Sequence, residues 1–168
     1  MDNDHLGSSI CPGCGLELPN IDWPQDERRN SSPSCWKLYT DISGAGLDDP
    51  ALTYMHQLRV DTYTAQHVGR NTPPIGSTFA LIGLHLAIDK GYPGLEVRRA
   101  HQTLARLRGP WPRLRSPGAI VEVTVNDLFE ASTKQEQIDM TNRWAVTVWD
   151  AWRSEHGRIE RLVTETLL

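Results

Sequence analysis

Cysteine is scarce in this chain: three in 168 residues, an odd number that cannot pair off as disulfides. Lysine is equally scarce, three against fourteen arginines, and the formal net charge is −4. That balance gives no global basic footprint for nucleic acid. No run of eighteen apolar residues occurs, which excludes a spanning helix of the usual kind. No apolar stretch follows Met1-Asp-Asn-Asp, so no signal peptide is expected. Walker A, GxGxxG, GxSxG, HExxH and protein-kinase signatures are all missing, and with them the simplest routes to a nucleotide enzyme, a serine hydrolase or a zinc protease. One CxxC with a single further cysteine is not the tandem ribbon of nucleic-acid-binding zinc proteins. Unpaired thiols and a CxxC fit a reducing compartment, so a cytoplasmic location is expected.

What the chain does have begins at Cys11-Pro-Gly-Cys14-Gly. Two cysteines two residues apart, with Pro and Gly between them and Gly after, form a tight turn that offers two thiolates to one metal. The remaining cysteine is Cys35, in Ser34-Cys35-Trp36. Three thiolates and one histidine complete a Cys₃His zinc site, and Zn²⁺ is the expected cofactor.

The fourth ligand follows from the helix pattern. Ser32-Pro33 starts a helix over about 33–43, and Asp49-Pro50 starts another reaching about His67. The turn between them is short, so they run antiparallel and the start of the first lies near the end of the second. This favours His67. His56 is eleven residues earlier, roughly 16 Å along the axis, so both cannot bind one ion on an intact helix. A closed four-ligand site is structural and would hold the segment before it in place.

Downstream, FALIGLHLAI marks a helix over about 75–90 that is apolar nearly all round and therefore central. Further helices are expected over 95–108, 127–131, 134–155 and 158–168, with a break at Gly157. IVEVTV at 120–125 alternates and could be a short strand, or, having no evident partner, simply extended chain. Six tryptophans supply large buried area. The expected fold is all-α: one helical bundle of five or six helices over 35–168, with an irregular zinc-clipped N-terminal arm over 1–34 packed on it.

The order CPGCG (Cys11–Gly15), SPxCW opening a helix (Ser32–Tyr39), VDxYxxQH closing the next (Val60–His67) and Leu-His-Leu in an apolar helix resembles a family of uncharacterised, mostly actinobacterial proteins, a domain of unknown function. Here His67 is followed by Val68-Gly69, where that family more often has Pro-Gly. The resemblance supports the helical sketch and the metal site and implies no established reaction.

Three other groups carry chemistry. His56, Asp61, Tyr63, Gln66 and His85 sit on two helices expected to be antiparallel, which would bring His85 level with His56–Val60. Asp61 would then orient an imidazole, with His85, Asp61 and His56 as candidate catalytic residues of a small hydrolase or biosynthetic enzyme; the plainer alternative is a satisfied core network. Arg98, Arg99, Arg106, Arg108, Arg113 and Arg115 surround Trp111 and could meet a phosphate or an acidic partner, or simply be solvated. Cys35, near a helix N-terminus, could act as a nucleophile. The leading expectation is a soluble zinc-binding accessory or interaction protein whose partner, a protein or a small molecule, is unnamed; a dimer is compatible with so many tryptophans. A redox or metal-sensing switch is the remaining alternative.

Overall fold

A computed structural model describes residues 7–168. A small antiparallel hairpin, β1 (Ser8–Ile10) and β2 (Glu17–Pro19), is followed by α1 (Pro33–Gly44), α2 (Pro50–Gln66), α3 (Pro74–Ile88), α4 (Gly94–Ala105), α5 (Val125–Glu130), α6 (Lys134–Ala151), one 3₁₀ turn (Arg153–Glu155) and α7 (His156–Leu167). Met1 to Leu6, part of the expected arm, lie outside the described residues.

The helix starts follow local chemistry. Ser32 caps α1 by accepting the Cys35 amide, and Asp49 caps α2 by accepting that of Ala51, each with proline in the first turn. Thr124 and Thr133 open α5 and α6 with full capping boxes, closed by Asp127 and Glu136. α2 lies at the centre, packed on α3, α6 and α4, while α7 covers α3 and α4. The core is built from Leu81, Ile82, Leu84 and Leu86 of α3, Trp144 and Val148 of α6, and Ile159 and Val163 of α7. Each buried indole N–H has an acceptor: Trp144 donates to Gln66 Oε1 (2.9 Å), Trp149 to Asp89 Oδ1 (3.2 Å) and Trp152 to the Ala65 carbonyl (3.0 Å). Buried tryptophans need such partners.

Two local expectations are corrected. Residues 120–124 are not a strand. Gln66 donates to the carbonyls of Ile120 (2.7 Å) and Val123 (2.8 Å), and the Ile120 amide donates to Gly13 O (3.0 Å), so the segment satisfies its backbone without a neighbouring strand. The helix expected over 134–155 ends at Ala151 rather than Glu155. Trp152 leaves helical geometry there, and Gly157 lies inside α7.

Candidate metal centre

The hairpin presents the CPGC turn. Gly15 N–H donates to Cys11 O (2.8 Å), Cys11 N–H donates to Leu16 O (2.9 Å), and Gly15 takes φ +73°, a left-handed conformation that glycine adopts freely. Gly13 is the point of closest approach to α2. A Cβ there would lie 2.5 Å from His67 Cδ2 and 2.6 Å from Asn30 O, so the turn seats against the helix end only with glycine at this place. Cys35 comes from the first turn of α1. His67 is the C-cap of α2.

These elements bring Cys11, Cys14, Cys35 and His67 together, all buried, with one ligand atom from each lying within 4.8 Å of the others. Cys14 Sγ is 3.8 Å from Cys35 Sγ, and Cys35 Sγ is 3.5 Å from His67 Nε2. A tetrahedral ion with metal–sulfur bonds of about 2.3 Å and metal–nitrogen bonds of about 2.0–2.1 Å sets those separations at about 3.8 and 3.5 Å. The donor set fits such an ion.

The surroundings prepare the donors. Nδ1 of His67 lies 2.8 Å from the Tyr63 carbonyl, so Nδ1–H donates there and the Nε2 lone pair faces Cys35. The Ser32 amide points at Cys11 Sγ (3.4 Å) and the Tyr63 hydroxyl lies 3.3 Å from Cys35 Sγ. Hydrogen bonds from Cys14 and Cys35 draw the Cys11 thiol well below its ordinary range. The hydrogen bond with Cys11 pushes Cys14 up to about 12, and Cys11, Cys14 and burial push Cys35 up. One negative charge can therefore be shared among the bare thiols. Ionising all three in this buried space requires a cation among them.

The second expected group is not assembled. His85 and Asp61 have different partners. His85 Nδ1 lies 2.8 Å from Asp89 Oδ2, one turn along α3, with its ring against Trp149 of α6. Asp61 Oδ1 accepts from Gln57 Nε2 (3.1 Å), and Asp61 Oδ2 abuts Gly83, where any Cβ would overlap it. Gly83 and His85 are two residues apart, about 200° around the helix, so the face that receives Asp61 is not the one that carries His85. The His56 side chain hydrogen-bonds to none of the described residues and lines a cleft. The imidazole nearest Asp61 is one that periodicity gave no reason to single out, His101 of α4, with Nε2 3.9 Å from Oδ2. His101 Nε2 donates to Phe79 O (2.9 Å), which leaves Nδ1 to accept from Gln57 (3.2 Å). Burial lowers its affinity for a proton. Of the remaining calls, the arginines at 98, 99, 106, 108, 113 and 115 are all exposed, and Cys35 is wholly buried, out of reach of a substrate.

Fold and cluster together define a predominantly helical protein with a buried Cys₃His group able to hold a metal ion. The chain belongs to DUF5946, a family of unknown function whose sequence profile matches residues 9–153, a span that includes all four cluster residues. It matches no curated protein and no solved structure.

Proposed function

We propose that Cys11, Cys14, Cys35 and His67 bind one Zn²⁺ as a structural centre, and that the protein is an accessory or interaction protein rather than a metalloenzyme. The observation that carries this reading is the pair of separations at Cys35, 3.8 Å to Cys14 Sγ and 3.5 Å to His67 Nε2, in a fully buried set of four donors. A closed, buried, four-donor set leaves no open position for a substrate or water. Thiolate-rich tetrahedral sites select zinc over harder ions such as Mg²⁺ and Ca²⁺. Bound there, the ion would clip the CPGC turn onto the start of α1 and the end of α2, holding the segment before residue 35 on the helical part.

The test is elemental mass spectrometry on the native chain and on Cys14→Ser and His67→Ala. One zinc per chain, lost in both variants, is expected. A metal-free native chain that keeps its fold would overturn the reading.

A second reading is favoured by the 3.8 Å approach of Cys14 and Cys35. Peroxide would take two electrons from these two metal-bound thiolates and, with two protons from solvent, become two molecules of water as the S–S bond forms and the ion is released. Zinc release under mild peroxide, reversed by thiol, would mark a redox switch. Full retention of zinc would exclude it.

A further inference from the structure

Two cavities flank α2, and the inner one reaches His67 at the edge of the Cys₃His group. One, of about 730 Å³, opens between the start of α2 and the N-terminus of α4. A second, of about 550 Å³, opens between α1 and the outer face of α2. Both are lined by Leu47 and His56, so they adjoin at these residues and together form a groove with two halves along α2. Pockets of this size accept ligands the size of metabolites.

The groove has a consistent chemistry. Its inner half is walled by Trp36, Tyr39 and Tyr63: Tyr39 and Tyr63 stack with centroids 4.0 Å apart, and Trp36 lies tilted against both at 5.5 and 5.7 Å. Such a wall suits a flat, apolar body. The charged groups at the groove are mainly cationic. Arg28 and Arg29 stand at the inner end, both paired with Asp26, and Arg29 lies over the Trp36 ring at 3.6 Å. Arg98 stands at the outer end and forms no ion pair among the described residues; Asp48 is the one carboxylate on the lining. At the junction, the side chain of the half-buried His56 hydrogen-bonds to none of the described residues.

Beneath this wall lies an independent sign of the same charge. Arg59 of α2 is 3% exposed. Its Nε donates to Thr141 Oγ1 (3.1 Å), its Nη2 has no hydrogen-bond partner, and no carboxylate among the described residues pairs with it. A buried cation without a counter-ion is costly, and its field reaches Tyr39 and His56 on the groove side. An overall acidic chain thus keeps a local excess of positive charge around its most aromatic cleft.

We propose that this groove binds a small organic anion with a flat apolar body, an aromatic carboxylate or phosphate ester, its ring against Tyr39 and Trp36 and its charged group between His56 and Arg98. The inference stands apart from the zinc reading, because none of the groups assigned to the anion ligates the ion.

The test uses the full chain as purified, with zinc measured on the same sample so that loss of the centre is recognised separately. Backbone amide shifts are followed by NMR while 2-naphthoate, 2-naphthyl phosphate and the neutral 2-naphthamide are titrated in. The anions are expected to shift amides of α1 and α2 facing the groove, and to bind about tenfold more tightly than the amide, as a charge-assisted hydrogen bond requires. The double variant His56→Ala/Arg98→Ala should lose that tenfold preference. Leu47→Glu, at an exposed rim position, should weaken both anions without touching the core, whereas Arg161→Ala on α7 should change nothing. Equal binding of naphthamide and naphthoate would overturn the proposal, as would the absence of groove shifts with either anion at millimolar concentration.

Discussion

His67 and Tyr63, one turn apart at the end of α2, are joined twice. Their rings stack with centroids 3.9 Å apart, and Nδ1 of the histidine lies 2.8 Å from the carbonyl of the same tyrosine. Rotating the imidazole would disturb both contacts, and changing its tautomer would give up the hydrogen bond. Tyr63 also reaches past it to the Cys35 sulfur. One residue thus aims one donor and touches another.

Tyr63→Phe should therefore weaken zinc binding without abolishing it. The ring stack survives, but the hydroxyl beside the Cys35 thiolate is lost. Groups that support metal ligands in this way typically contribute about ten- to a hundredfold in affinity. Competition with a chromogenic chelator should show a loss of about tenfold. Unchanged affinity would mean that the hydroxyl merely fills space.

Asp61 should make stability depend on pH. Burial holds its carboxyl well above the ordinary 3.8, opposed by the Gln57 hydrogen bond. The folded protein therefore keeps a proton there at pH values where the unfolded chain has released it. By linkage, this group's contribution is fully present below about pH 4 and declines as pH rises toward the folded-state value. Urea unfolding across pH 4–8 should show Asp61→Asn gaining on the native chain as pH increases. A pH-independent difference between the two would contradict this.

Gln66 should be among the most sensitive polar positions. Its amide donates to the carbonyls of Ile120 and Val123 and accepts from Trp144 Nε1, all in the interior. Gln66→Leu keeps the volume and strands three buried partners, so a loss of about 3 kcal/mol or more is expected. Chemical denaturation would measure it; a loss below about 1 kcal/mol would show that water replaces the amide.

The native chain should lose structure on chelation in a limited region. Stripping the proposed ion would free the CPGC turn, while the α3, α6 and α7 packing would keep its own apolar contacts. Hydrogen exchange after chelation should rise first in residues 8–19 and 30–35. Uniform exposure of the whole chain would instead make the centre a condition for folding.

The helices were legible because their starts are written in short-range chemistry. Ser32-Pro33 and Asp49-Pro50 act within one turn, and the apolar run of α3 permits no other place than the centre. The four-residue cluster was legible for a related reason. A short turn between two helices fixes which ends meet, and that alone brings His67 rather than His56 to Cys35. The rest depended on contacts far apart in sequence. IVEVTV reads as a strand until Gln66 takes its carbonyls. Nothing near Trp152 announces that α6 stops there. His85 and Asp61 share a pair of packed helices, but a two-residue offset turns them to different neighbours, and His101 approaches Asp61 from α4, forty residues away in the chain.

The positions of the four donors also bear on how the molecule is made. All four precede α3, the last of them at the very end of α2. During synthesis, domains assemble from the N-terminal side as chain emerges. The ion could thus be captured while α3 to α7 are still in the ribosome or unmade, fixing α1 against α2 as a template on which the tryptophan-bearing helices dock. Cellular metal supply would then act at the moment of translation, and a shortage would be felt by newly made chains before it touched those already complete.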